Sequence, residues 1–443
     1  MTKICVLGLG YIGLPTALLL ARNGFEVIGV DVNENVVNTL NRGQLHISEP
    51  ELPELFEQAR CNFGAQISVP EADIYLIAVP TPLKKNIRVP DLGYVRSVAE
   101  MIYPHLQRGN LVILESTVPP GTSEKLVIPI LEKSGLKAGE FQYVHCPERA
   151  IPGKTLYEMI HNDRIIGGID AGSAQSARTV YSSYVQGRIC LTDVTTAEFV
   201  KLIENTYRDI NIAIANEFAQ AAEDYGINVW EAIDLANKHP RVNILQPGPG
   251  VGGHCIAVDP WFLTECSART GLIQISREIN DSMPNYVINL VRKMLGGVQD
   301  PTLTVFGVSY KKNVGDTRET PALKFIQLAE NEGYRVKCYD PHVSTFDYRL
   351  YDLDEAVRDS DCIVLITDHD LFKRIDPVTL SMRHRCVIDA RNHLDSEMWS
   401  NAGFLVKTLG NGLARSGASG GAPVDESERK SLLSDKKATT KGA

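Results

Sequence analysis

Apolar positions near the start of the chain fall into two continuous runs separated by a stretch of helical period. Lys3 to Leu7 (KICVL) leads into Gly8-Leu9-Gly10, a helical pattern runs from Tyr11 to Gly24, and Phe25 to Val30 forms a second run ending on Asp31. Further short runs follow, IYLIAVP from Ile74, LVILEST from Leu111 and FQYVHCP from Phe141, separated by helix-like stretches such as DLGYVRSVAEMIYPHL. Runs that are continuous rather than alternating, spaced by helices, predict a parallel sheet covered on both faces. From Thr195 the period changes. Val200, Ile203, Tyr207, Ile210, Ile214 and Phe218 form one apolar stripe with no Gly or Pro before Gly226, which predicts a single helix over 195–225. Thr195 and Glu198 fit a capping box at its start. Gln246 to Pro260 is too rich in Gly and Pro for a regular element. Beyond residue 300, TLTVFGVSYK, YRVKCYDP, DCIVLITD and CVIDAR read as strands of a second α/β unit, with a helix ending on Gly333 between the first two.

The expected fold class is therefore α/β: two Rossmann-like doubly wound domains joined by a long helix and a helical middle domain. Residues 1–190 form the first, 191–296 the helical middle carrying a glycine-flanked cysteine loop, and 297–411 the second. Residues 412–443 are small and polar, and we expect a disordered tail.

Composition narrows the function classes. Of 443 residues, 44% are hydrophobic and 22% charged, as in ordinary globular proteins, and the net charge of -9 argues against a nucleic-acid partner. No run reaches the roughly 18 apolar residues of a membrane span. The N-terminus enters a strand without a basic leader region, so we expect no signal peptide. Nine cysteines without a C-x-x-C pair, several in strand-like runs (Cys5, Cys362, Cys386), suit a reduced compartment and speak against a zinc or disulfide framework. The cytoplasm is the expected location, and no metal is expected.

Gly8, Gly10 and Gly13 follow a strand and open a helix, with Tyr11 and Ile12 between them. In a dinucleotide fold the first glycine permits the turn, the second lets the backbone approach a pyrophosphate, and the third allows close helix–strand packing. Asp31 ends the next strand, where a carboxylate accepts from a ribose and repels a 2′-phosphate, so NAD is expected over NADP; a flavin is the alternative. Thr81 and Thr117 lie in turns at the C-terminal ends of strands, where such sheets place ligands, although threonines there also serve turn geometry. Cys255 is set among the glycines of Gln246–Pro260. Glycines leave room for a substrate and aim N–H groups at the sulfur, which favours thiolate. The adjacent His254 and Cys255 make a poor metal pair. Lys201, Asn205 and Arg208 share one face of the long helix, apart from its apolar stripe. A nicotinamide site, a cysteine and a lysine together fit oxidation of an alcohol to an aldehyde, capture by the thiol, a second hydride transfer and hydrolysis of the thioester.

VLGLGYIGLPTA, ESTVPPGT, HCPER, AEFVKLIENTYRDINIAIANE, GPGVGGHCIAVDP and SYKKNVGDTRETPA occur in the order found in the UDP-glucose/GDP-mannose dehydrogenase family, which the chain resembles from residue 3 to about 410. The resemblance implies an NAD-dependent, four-electron oxidation of the C6 hydroxymethyl of a UDP-N-acetylhexosamine for surface polysaccharide synthesis, by a protein that dimerises through its helical middle. Cys255 would be the nucleophile, Lys201 the general acid/base, Asn205 the group orienting the sugar carbon, and Asp259 the group handling the hydrolytic water. Glu148 would hold the assisting carboxylate role alone, since Pro152 stands where UDP-glucose dehydrogenases carry a second glutamate. Arg149, Ala150, Arg208, His239, Arg241, Gly252, Tyr310 and Lys311 would contact the UDP-sugar, and Arg318 the NAD pyrophosphate region. Rival readings are a UDP-GlcNAc or UDP-glucose dehydrogenase, a single-step 3-hydroxyacid-type dehydrogenase and a non-catalytic nucleotide-sugar sensor.

Overall fold

The computed structural model describes residues 1–413 apart from Ser48, Lys85, Asn86, Pro152 and His254. All but the first two residues of the expected tail thus lie outside the described residues, as does Pro152. Two sheets organise the chain. In the first, strands β1 (Lys3–Leu7), β2 (Glu26–Val30), β3 (Phe63–Gln66), β4 (Ile74–Ile77), β5 (Leu111–Leu114), β6 (Gln142–His145), β7 (Arg164–Gly168) and β8 (Ile189–Asp193) run in the order β3-β2-β1-β4-β5-β6-β7-β8. The second holds β9 (Thr302–Phe306), β10 (Arg335–Tyr339), β11 (Cys362–Leu365), β12 (Cys386–Asp389) and β13 (Leu405–Thr408) in the order β10-β9-β11-β12-β13. The continuous apolar runs are explained by burial on both sides: along β1, Ile4 and Val6 enter one core while Cys5 and Leu7 enter the other. The second sheet repeats this, with Leu303 and Val305 on one side and Phe306 on the other. One pairing departs from the expected parallel sheet, since β7 runs antiparallel to β6.

β8 runs directly into a helix of 32 residues, Val194–Tyr225, which ends where Gly226 takes a left-handed conformation at φ 68°. Its start corrects the expected capping box. Asp193 is the N-cap, accepting from the Thr196 amide at 2.9 Å and its hydroxyl at 2.6 Å. Glu198 instead turns into the first domain, where its carboxylate accepts from the amides of Gly121 at 2.5 Å and Ser123 at 2.8 Å.

The two faces of the helix are separated as expected, with the polar one turned inward. Ile203, Tyr207, Ile214 and Phe218 are exposed, whereas Lys201, Asn205, Asp209 and Asn216 are buried. The polar face packs along the helix Gly271–Met294, through Arg277 on Asp209 (2.6 Å) and Asn216 on Asn280 (2.9 Å). Asp209 and Asn216 are tolerated inside because Arg277 and Asn280 meet them across the helix pair. Asn211 holds the strand-like segment ahead of the cysteine loop, donating to the Asn243 carbonyl and accepting from the Leu245 amide. Asn216 accepts from the Gly248 amide at 2.8 Å. The long helix is thus the spine on which the loop is hung. Among the described residues, no helix is long and apolar enough to cross a membrane.

Candidate active site

A cavity of about 310 Å³ opens where the two sheets and the helical middle meet. Its walls bring together Arg149, Ala150, Lys201, Asn205, Arg208, Gly252, Cys255, Tyr310, Lys311 and Arg318, all singled out in the sequence. His239 and Arg241 are exposed and are not among its lining residues, so the structure does not bring them to this site within one chain. Glu148 and Asp259 also stand off the wall. Asp259 is buried behind Asn205, which donates to it at 2.5 Å. Both Glu148 oxygens are engaged: one accepts from the Arg149 and Ala150 amides at 2.7 and 2.8 Å, the other from Arg164 at 2.7 Å.

Cys255 occupies the turn before the helix Asp259–Cys266, its carbonyl accepting from the amides of Val258 and Asp259. The residue is reachable from solvent, yet its sulfur is closely surrounded by protein. This loss of hydration pushes the thiol up, Asp259 adds to the rise, and Lys201, Arg318 and Arg208 oppose it. The cations around the sulfur pull toward thiolate, against burial and Asp259. Burial pushes the Asp259 carboxyl up to about 6, against the pull of Lys201 and the Asn205 hydrogen bond. Lys201 is only 8% exposed, and no carboxylate forms an ion pair with it among the described residues.

The glycines of the cysteine loop also seat it against the second α/β unit. A Cβ on Gly252 would come 2.7 Å from Tyr310 Cβ and 2.8 Å from the Glu319 carbonyl. One on Gly253, at φ 77°, would lie 2.8 Å from the Tyr310 ring, and one on Gly248 2.6 Å from the Arg391 guanidinium. They admit the second α/β unit, and Gly248, Gly252 and Gly253 line the cavity as well. The Gly253 amide donates to the Arg318 carbonyl at 3.0 Å, so loop and segment 310–319 are joined by main chain as well. Arg391, two residues beyond β12, lines the cavity and was missed; its place past the end of a parallel strand was the available signal. Arg149 lines the cavity with its side chain already held. Its guanidinium is spent on Glu204, at 2.6 and 3.0 Å, and on the Asp163 carbonyl.

At the other end of the site, Gly8 (φ 94°) and Gly13 are closed in: a Cβ on Gly13 would meet the Gly8 carbonyl at 1.8 Å. A Cβ on Gly10 would meet nothing within 4 Å, which leaves its backbone open to a ligand. Asp31 accepts from the Leu9 amide at 3.0 Å and fixes the loop from the end of β2. Thr81 donates to the Thr117 carbonyl at 2.7 Å, tying together the turns after β4 and β5. Arg318 sits over the Tyr11 ring, 5.5 Å from its centre, linking the glycine loop to the second α/β unit. These residues fit a dinucleotide: an open glycine backbone at a helix start, a carboxylate at the neighbouring strand end and an arginine alongside. Among the described residues, no group of three or more His, Cys, Asp or Glu could hold a metal ion.

Comparison with known proteins decides the family. Three models of the UDP-glucose/GDP-mannose dehydrogenase family match in order, the NAD binding domain over residues 2–185, the central domain over 195–282 and the UDP binding domain over 304–396. The chain belongs to this family. Its cofactor is NAD, and Tyr310, Lys311, Arg318 and Arg391 all lie in the UDP binding domain. A UDP-N-acetyl-D-mannosamine dehydrogenase of Methanococcus maripaludis is 50% identical over 422 residues, covering 93% of this chain and 97% of that one. An NDP-N-acetyl-D-galactosaminuronic acid dehydrogenase of Ralstonia nicotianae is 43% identical, covering 90% of this chain and 96% of its own. The solved structure of UDP-D-ManNAc dehydrogenase from Pyrococcus horikoshii superposes with a TM-score of 0.87 at 42% identity, covering 93% of this chain and all of that one. The two parallel-sheet domains and the helical middle are those of this enzyme class.

Proposed function

We propose that the chain oxidises the C6 hydroxymethyl of UDP-N-acetyl-D-mannosamine to the carboxylate by two successive hydride transfers. The observation that supports this most is the convergence on one cavity of a cysteine, a buried lysine and a cationic lining. Arg149, Lys201, Arg208, Lys311, Arg318 and Arg391 line it, and among the described residues no carboxylate does. Such a surface suits a nucleoside diphosphate, and the family and relatives supply the sugar class. NAD, when bound, supplies hydride acceptance, one molecule for each of the two oxidations. Lys201 takes the proton of the C6 hydroxyl in the first oxidation. Cys255 adds through sulfur to the aldehyde carbon, giving a thiohemiacetal whose oxidation leaves a thioester. Asn205, held by Asp259, orients the reacting carbon. Water then cleaves the C–S bond, releasing the carboxylate and restoring the thiol, with Asp259 acting through Asn205 and on the charge of Lys201.

Burial of the exposed stripe of Ile203, Tyr207, Ile214 and Phe218 against a second copy would give the homodimer expected for the family. The deciding experiment feeds the purified protein UDP-ManNAc, UDP-GlcNAc, UDP-GalNAc and UDP-glucose with NAD and counts NADH per sugar. Two NADH, with UDP-ManNAc turned over best, is the expected result. One NADH would sink the thioester route, and preference for another sugar would sink the substrate assignment.

A further inference from the structure

Behind the wall formed by Arg149 and Ala150 lies a buried charged chain, Glu148, Arg164 and Glu115, whose side chains are not among the residues lining the cavity. Arg164, at the start of β7 and 4% exposed, stands between two carboxylates, 2.7 Å from Glu148 and 3.3 Å from Glu115. Glu115, at the end of β5, also accepts from the Tyr181 hydroxyl at 2.6 Å and the Thr16 hydroxyl at 3.2 Å. The Arg164 guanidinium lies over the Tyr181 ring, 4.5 Å from its centre. A buried arginine with two carboxylates is costly to desolvate and adds little net stability over an apolar replacement, so stability alone does not account for it.

The geometry gives a reason. Four amides of the segment 149–153 are held by acidic side chains: Arg149 and Ala150 by Glu148, Ile151 by Glu158 at 2.9 Å, and Gly153 by Glu49. Glu148 holds the amides of Arg149 and Ala150, which line the cavity, and it is the carboxylate anchored in turn by a buried cation. Burial alone would raise the Glu148 carboxyl, but Arg164 and the two amides bring it below the ordinary range. Glu115 is the softer partner, pushed up by burial to about 7 despite Arg164.

We infer that Arg164 is a positioning residue for the sugar end of the cavity: it pins Glu148, and Glu148 fixes the main chain of Arg149 and Ala150 where the substrate lies, while Glu115 and Tyr181 brace Arg164 from behind. Glu148 on this account is a strut and takes no proton during turnover. The inference rests on the nucleotide-sugar reading of the cavity, but its test has a part that does not.

Arg164→Lys keeps the charge and loses the fork that spans two carboxylates. Hydrogen exchange should quicken in the peptide covering 147–154 and stay unchanged in peptides of β1, β4 and the second sheet. The KM for UDP-ManNAc should rise about tenfold, the scale of one lost charge-assisted hydrogen bond, with the KM for NAD within about twofold. Glu115→Gln, which preserves shape and the Tyr181 contact, should move both readouts the same way by less and serves if Arg164→Lys fails to fold. Wild-type exchange and KM in both variants would overturn the inference. So would exchange that quickens throughout the sheet with the two KM values rising together, since Arg164 would then be a general support. If the unaltered protein binds no nucleotide sugar by calorimetry, the substrate reading fails by itself, and the local exchange result still decides whether Arg164 holds the wall.

Discussion

Adding one methyl group at Gly252 should separate the fold of the active site from its chemistry. The new Cβ would stand 2.7 Å from Tyr310 Cβ and 2.8 Å from both the Glu319 oxygen and Pro321 Cδ, against the 3.4 Å at which ordinary contact begins. Each contact is thus about 0.6–0.7 Å too close. None of the three atoms is the end of a flexible side chain, so the strain must be relieved by moving the loop off segment 310–321. Overpacking of this kind costs roughly 1–3 kcal/mol, and Gly252→Ala should lower the melting temperature by only a few degrees. Chemistry should suffer more. Cys255 lies three residues along the same loop, and a shift approaching 1 Å at a reacting group costs on the order of a hundredfold. We therefore expect kcat to fall about a hundredfold while the protein stays folded, measured as NADH formation at saturating sugar nucleotide alongside a thermal melt. Gly271→Ala, where a Cβ meets nothing within 4 Å, is the control and should be silent. A kcat within twofold of wild type for Gly252→Ala would refute the claim that packing on Tyr310 sets the nucleophile.

Four further outcomes are expected. NAD should be used far better than NADP, and Asp31→Ala should narrow the gap in kcat/KM; equal values for the unaltered protein would contradict the role of Asp31. Cys255→Ser should cut steady-state turnover by orders of magnitude, because a hydroxyl is a weaker nucleophile than a thiol near neutral pH; rapid quench of the wild type should trap sugar on the peptide containing Cys255, and a labelled peptide lacking it would refute the thioester. Asp259, raised to about 6 from its ordinary 3.8, binds its proton more tightly folded than unfolded. Its contribution therefore favours the fold below pH 4 and is lost as pH rises through 6, and Asp259→Asn should flatten that stretch of the stability curve; an unchanged slope would show that Asp259 does not titrate there. Ile203→Glu should shift the mass in light scattering from dimer to monomer, and an unchanged mass would place any interface elsewhere.

The glycine loop, Asp31 and the extent of the long helix were legible in the sequence because each rests on a local rule: positive φ, strand-end position, helical period. The faces of that helix were not. Apolarity at Ile203, Tyr207, Ile214 and Phe218 says that something covers them, not that the same chain does, and the polar side won the interior because Arg277 and Asn280 are there to receive it. The true cap was hidden for a similar reason. Thr195 with Glu198 satisfies the capping pattern, yet the Gly121 and Ser123 amides, far away in sequence, compete successfully for Glu198. The glycines around Cys255 were noticed, but their packing against the second α/β unit was not, since nothing local reveals Tyr310 and Arg391 approaching from it. Arg391 itself carries no motif of its own.

The joint between the cysteine loop and segment 310–319 sets a limit on how this protein can be taken apart or recombined. Exchange of the second nucleotide domain for that of a relative with different sugar preference is the obvious way to alter specificity, with a cut between Met294 and Thr302, where the helical middle ends. Such a cut would import a foreign partner for Gly252 and Gly253 together with the new binding surface, because Tyr310 and the Arg318 carbonyl both lie beyond it. Domain swaps that ignore this would lose turnover while gaining affinity. Those that graft residues 310–321 from the host into the incoming domain keep the original seat for the nucleophile.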